Sequence, residues 1–306
     1  MNTIRILCIA KQKHTNMKKS LLFLATFLPL SLSAQEESGW SHDGLTGVNF
    51  SQTSFTNWSE GGENNVAHNI YLNFSFNYKK DKIAWTNDLN ANYGQNYTSH
   101  YGWRKNLDNL NFASKFGHKI SDKLYYAALL DFKSQFADGY KYSDNSKELI
   151  SKLLTPAYLN VSVGLDYKPD SHLAFYFSPV AGKLTMVADT AFSVRYGIEP
   201  GKHVKPQLGA IFKANANYTF FEDRMTFKSA LDLFTAYDET FGCIDVNWDV
   251  LIGYNLTKLL TLTAQSTLKY DDDIKTYDTD SNGNKIVHGA RVQFKEMVGI
   301  GLSYKF

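Results

Sequence analysis

A set of ionisable side chains recurs on the polar side of an alternating pattern: Asp88, Lys115, Lys119, Asp131, Lys133, Asp166, Lys213, Lys228, Asp232, Asp245, Asp249, Lys269, Asp271, Arg291 and Lys295. Acids and bases are almost balanced in this set. Mixed charges on one face support two kinds of chemistry: a polar conduit with a local field across it, or ion pairs that brace an interior. Both readings stand at this stage. No nucleophile motif accompanies them. His100, His203 and His288 have Ser99 and Asp280 as neighbours in polar stretches, without the base and orienting group that catalysis requires. No enzymatic activity and no cofactor are expected.

Other candidates are weaker. Asp278-Thr279-Asp280-Ser281-Asn282-Gly283 matches the first half of a calcium loop, with oxygen donors at alternate positions and Gly at the turn. The twelfth position is Gly289 where a calcium loop has Glu, so a solvated polar loop is expected and no metal site is assigned. Asp271, Asp272 and Asp273 could hold divalent ions that bridge lipopolysaccharide, or simply form a hydrated rim. Trp58 to Asn65 could contact a sugar or a partner, or make a turn. Cys243 reads as a bystander thiol, since no Cys/His spacing suits zinc.

The elements that must carry these residues are strands. Ile70, Leu72, Phe74, Phe76 and Tyr78 alternate with Tyr71, Asn73, Ser75 and Asn77. The same period of two recurs from Leu159 to Tyr167, Leu208 to Tyr218, Val246 to Tyr254 and Leu260 to Tyr270. Twelve strands are expected, near 44–55, 66–78, 83–95, 107–120, 124–136, 157–168, 173–186, 207–220, 225–237, 244–256, 260–271 and 291–306. Most match the roughly 9–11 tilted residues that cross a bilayer.

The joins alternate as well. After even strands they are short (79–82, 121–123, 169–172, 221–224, 257–259); after odd strands most are long, including 96–106, 137–156, 187–206 and 272–290. That is the habit of a transmembrane antiparallel up-and-down β-barrel with short periplasmic turns and long outer loops. Aromatic residues fall at two levels of the apolar face, as in interfacial girdles. Tyr78, Trp85, Tyr126, Tyr167, Tyr218, Phe220 and Tyr254 lie beside the short turns; Tyr93, Phe136, Tyr237 and Tyr270 lie beside the long ones. Glu296 falls on the apolar face and fits only near a rim.

Composition agrees. The 306 residues carry a net charge of +2 and 15% aromatic residues, with no basic stripe for nucleic acid. Residues 1–34 read as an N-terminal extension and signal peptide: Lys18 and Lys19, an apolar run from Leu21 to Leu32, then Ser33 and Ala34. That run is too short for a membrane span. Met17 is the better initiator, and Cys8 lies in the part expected to be removed. Residues 35–306 read as the barrel, placed in the cell outer membrane.

Several segments resemble a family of Bacteroidetes outer-membrane proteins catalogued as domain of unknown function 3078. They include Asn49-Phe50-Ser51-Gln52-Thr53, Trp58 with Gly61-Gly62-Glu63-Asn64, Asp131 to Tyr140, and Ser178-Pro179 with Gly182-Lys183-Leu184-Thr185. Asp245-Val246-Asn247-Trp248, Tyr270 to Lys275 and the ending Arg291 to Phe306 also fit. The resemblance implies fold and location and supplies no activity. The expected partners are outer-membrane lipid, lipopolysaccharide and the barrel assembly machinery, the last reading the strand that ends at Phe306. The expected function is a narrow channel for small solutes. The alternatives are a structural or binding barrel whose loops contact lipopolysaccharide, glycan or protein, and, further off, a lipid hydrolase.

Overall fold

A computed structural model describes residues 39–54, 64–98, 100–143, 146–279 and 285–306. The expected signal segment, most of Trp58 to Asn65, Ser99, and Asp280 through Gly283 lie outside the described residues.

Twelve strands close into one antiparallel barrel. In chain order they are β1 (Trp40–Thr53), β2 (Asn65–Lys80), β3 (Ile83–Thr98), β4 (Gly102–Lys119), β5 (Leu124–Ser134), β8 (Ala157–Tyr167), β9 (Leu173–Met186), β10 (Val204–Phe220), β11 (Met225–Ala236), β12 (Asp245–Asn255), β13 (Leu260–Tyr270) and β16 (Gln293–Lys305). Two small hairpins sit in the long joins: β6 (Gly139–Ser143) with β7 (Ser146–Ser151), and β14 (Lys275–Thr279) with β15 (Lys285–Ala290). Neither hairpin is visible in the alternation, because strands of five or six residues are too short to set a period within a long polar join. The join expected at 96–106 is also mostly strand, since β3 runs to Thr98 and β4 begins at Gly102.

Alternation decides which way each side chain points. Val48, Ile70, Phe116, Val161, Val163, Phe177, Leu208, Trp248, Leu262, Val298 and Leu302 all face outward and are exposed. An apolar band this continuous around a whole wall has no stable state against water and matches a lipid-facing surface. Aromatic side chains gather at the short-turn end: Trp40 stacks on Phe76 at 4.5 Å, and Trp85 stands 5.8 Å from Trp40. Outward polar residues are satisfied locally. Trp85 Nε1 donates to Ser114 Oγ at 2.9 Å, and Trp248 Nε1 donates to Ser229 Oγ at 2.9 Å.

Closure is made by β1 and β16. Leu45 pairs with Lys305 and Asn49 with Gly301, and below them Gly44 and Phe306 exchange backbone hydrogen bonds of 2.8 and 2.9 Å. The Phe306 ring lies flat over Gly44, where any Cβ would collide with it. Within β9 an extra residue at Ser178–Val180 sets two residues against one on each neighbouring strand: Pro179 and Val180 against Ala210, and Ser178 and Pro179 against Gly164. This bulge reverses the in-out parity of everything after it.

Candidate functional site

The inward face is packed with apolar side chains on one side and is polar on the other. On the filled side, inward residues of β5, β9, β10 and β11 form a packed apolar cluster: Ala127, Leu129, Tyr176, Ala181, Ile211, Phe234 and Ala236. Ion pairs run through it. Lys133 Nζ lies 2.7 Å from Asp232 Oδ2, while Lys213 Nζ reaches Asp232 Oδ1 at 3.1 Å and Asp131 Oδ2 at 3.2 Å. Lys115 Nζ meets Asp166 Oδ1 at 2.8 Å, and Lys168 approaches the other oxygen at 3.4 Å. Tyr176 hydroxyl and Ser162 Oγ share a hydrogen bond of 2.8 Å in the same layer.

These contacts span more of the barrel than a round section allows. Twelve strands about 4.8 Å apart and tilted by about 40° make a circle roughly 24 Å across, on which strands four steps apart stand about 20 Å from each other. A lysine and an aspartate together bridge about half of that. Since β5 and β11 are four steps apart and joined by Lys133 and Asp232, the section is flattened there.

Lys183 is the member of this network that alternation alone misses. Counted from Leu173, Phe175 and Phe177, its odd number places it in lipid. The bulge at Ser178–Val180 turns it inward, where Nζ lies 2.6 Å from Asp245 Oδ2 and 3.4 Å from Asp271 Oδ2. The signal was present in the sequence: Pro179 cannot donate to a ladder and marks a bulge or an edge, and a lysine facing lipid is costly.

The outer mouth is partly covered by two segments. The turn 271–274 folds inward: Asp273 accepts from Lys205 Nζ at 2.6 Å and from Gln207 Nε2 at 3.2 Å, and the Asp272 N–H donates to Asp245 Oδ1 at 3.2 Å. Asp271 and Asp273 are thus held by lysines of the wall. The second segment, 187–203, carries short 3-10 turns at Thr190–Phe192 and Val194–Tyr196. Val187, Phe192 and Ile198 form a buried cluster with Leu149 and Tyr196 packed against it. This segment is tied to the β6–β7 hairpin and the residues after it. Arg195 pairs with Glu148 at 2.7 Å, Lys152 with Asp189 at 2.6 Å, and the Tyr196 hydroxyl donates to Ile150 O at 2.7 Å. Gly197, at φ 69°, abuts Asp273, so the two covers touch.

The other expected charges sit differently. Asp88 accepts from Ser75 within the wall. Asp249 accepts from Thr267 Oγ1 at 2.6 Å and Asn247 Nδ2 at 3.0 Å. Lys119 pairs with Asp122 at 2.9 Å beside a short turn. Arg291 precedes β16, outside the barrel wall, and is exposed. Lys228, Lys269 and Lys295 face inward, stand exposed, and have no carboxylate within 4 Å among the described residues. Around them the inward residues of β1, β2, β13 and β16 are mostly Asn, Ser, Thr and Gly, with Asn49, Asn69, Tyr71 and Thr261 buried among them. His203 Nδ1 donates to Val187 O at 2.9 Å within the cover, and Cys243 is exposed. Glu296 lies opposite Ser266 on the outward face, so the strand keeps its phase there. Among the described residues no group of three His, Cys, Asp or Glu side chains is placed to hold a metal ion.

The comparisons with known proteins come to the same level of detail. Residues 50–140 match the model of a family described as a protein of unknown function (DUF3078). The resemblance read from the motifs holds over that stretch, which runs from the end of β1 into β6. No curated protein matches the chain. Among solved structures, the translocator domain of the autotransporter NalP from Neisseria meningitidis is 8% identical, covering 89% of this chain and 90% of its own, with a TM-score of 0.38. An outer membrane channel from Pseudomonas putida F1 is 11% identical, covering 88% of this chain and 96% of its own, with a TM-score of 0.39. The toluene transporter TbuX from Ralstonia pickettii is 9% identical, covering 88% and 89%, with a TM-score of 0.29.

Proposed function

We propose that this chain is an outer-membrane channel that passes small solutes along the open side of a half-filled barrel. The observation that carries the reading is the exposure of Lys228, Lys269 and Lys295 on the inward face, without carboxylate partners among the described residues. In a lumen packed shut, a lysine without a counter-ion would be costly, and here such residues stand toward both ends of the unfilled side. The apolar outer band would sit in outer-membrane lipid and lipopolysaccharide. The short turns would face the periplasm, and assembly machinery would read β16. The packed side serves as bracing, so the conduit is narrow and needs no catalytic group.

A second reading is a binding barrel that presents its cover to a partner. Leu153 and Val194 favour it, being 54% and 58% exposed on the outer segments. Single-channel recording in planar bilayers separates the two. The channel reading expects a small, reproducible conductance that grows when 187–203 is shortened to a minimal turn. Absence of conductance at every voltage, with the shortened variant also silent, overturns it.

A further inference from the structure

The barrel is closed by a short seam. Every other neighbouring pair of wall strands is matched over at least ten residues, whereas β1 and β16 pair only from Leu45↔Lys305 to Asn49↔Gly301. Continuing that register would set Phe50 opposite Ile300, Ser51 opposite Gly299 and Gln52 opposite Val298. These residues are extended on both strands and are described, yet no ladder joins them. Phe50 to Gln52 remain paired with β2, and Val298 to Ile300 with β13. The wall is therefore parted between two intact hairpins, on the long-loop side of Asn49. Val298 is 73% exposed at this edge and Phe50 is 54% exposed.

Directly behind the parting, on the lumen side, stand Lys295 and Lys269. In the β13–β16 pair Lys269 faces Gln293 and Thr267 faces Lys295, which makes the two lysines diagonal neighbours about 7–8 Å apart at Cβ. Asp249 lies in the row of Lys295, two strands away, and its oxygens are taken by Thr267 and Asn247. The neighbouring cluster of Lys133, Lys213, Asp131 and Asp232 is internally neutral. Lys269 and Lys295 thus outnumber Asp249, the one nearby carboxylate among the described residues that no lysine pairs with (Asp271 being held by Lys183), beside a slit whose outer lip is apolar: Phe50, Phe294 and Val298.

We propose that this seam is a lateral port for a single-chain anionic amphiphile, with the acidic headgroup held by Lys269 and Lys295 in the lumen and the tail leaving between β1 and β16 into the surrounding lipid. Charge complementarity selects the head, and the unpaired edge supplies the exit that a sealed wall would deny. The proposal rests on the barrel being a conduit and names what it conducts.

The test uses photo-crosslinking with oleate, and methyl oleate as the uncharged control, on the purified full barrel in detergent. A photoreactive residue is placed at Val298, or at the outward Val161 on β8 across the barrel as a background position. Oleate is expected to label position 298 several-fold above position 161. Methyl oleate is expected to label both equally, and Lys269→Gln with Lys295→Gln is expected to erase the excess. Equal labelling by oleate at both positions, or an excess that survives loss of both lysines, overturns the port. Ion conductance of the same preparations is read separately. A conducting barrel without selective labelling leaves the channel standing and removes the port. A silent barrel with selective labelling removes the channel and keeps the headgroup site.

Discussion

Lys133 of β5 and Asp232 of β11 meet at 2.7 Å across the lumen, although four strand intervals separate them on the wall. Together with Lys213, which touches both Asp131 and Asp232, they draw one side of the barrel inward and leave the other side free. Bracing, which the charges alone left as one of two alternatives, is thus assigned to one half of the interior, and passage along the other half is the proposal.

Removing the shared lysine should be costly. Lys213→Ala leaves two carboxylates facing each other with only Lys133 between them, and loss of one member of a buried pair costs about 3–5 kcal/mol. Lower unfolding midpoints in urea and earlier loss of the heat-modified gel band are the expected outcomes. Lys228→Ala, which breaks no pair, should stay near wild type.

The outward face predicts the opposite kind of sensitivity. Val163 is 58% exposed and faces out at mid-strand. Val163→Arg should cost about 2–4 kcal/mol of folding into vesicles if that position lies near the bilayer midplane. A loss well under 1 kcal/mol would place β8 differently with respect to lipid.

The cover has a defined pH window. Asp189 is held below the ordinary aspartate range, first by the hydrogen bond from Lys152 and then by the Ala191 N–H. A depressed carboxylate contributes stability above its unfolded value, and that contribution is lost as pH falls through the lowered one. Burial pushes the Tyr196 phenol up to about 12. Its contribution is complete below the ordinary tyrosine value of about 10 and is lost as pH rises from there. Protection factors of the 187–203 amides, that is exchange corrected for its intrinsic pH dependence, should therefore be high and flat between these limits and lower in acid and in strong base. Asp189→Asn should flatten the acid limb, and Tyr196→Phe the basic one.

Charge on the open side should set ion preference. With Lys228, Lys269 and Lys295 exposed there, reversal potentials in a salt gradient should favour anions. Lys269→Glu with Lys295→Glu should move them toward cations. Asp88→Asn, which removes an inward negative charge that the Ser75 hydroxyl does not neutralise, should move them further toward anions.

Most of the wall was legible because its physics is local. Alternation fixes the faces of β2, β8, β12 and β13, and the short turns delimit them within a few residues. What alternation cannot see is non-local. The inward fold of Asp271 and Asp273 depends on Lys183 and Lys205, far away in the chain. The β6–β7 hairpin depends on a cover built from 187–203. The flattened section depends on contacts between strands that are not neighbours in the sheet. The short seam is likewise silent, since Val298 and Ile300 alternate with Met297 and Gly299 as in any paired strand.

The extra residue at Ser178–Val180 works as a reading-frame shift written in three dimensions. Draw the same residues out as a regular strand, with none deleted, and Gly182, Leu184 and Met186 would turn into the water of the lumen while Lys183 and Thr185 met lipid; deleting Pro179 would instead leave Lys183 facing inward. Chains that share this barrel without the bulge would then need an apolar side chain where Lys183 stands and a cation one position along. A search for relatives should follow that compensated pair rather than the lysine by itself.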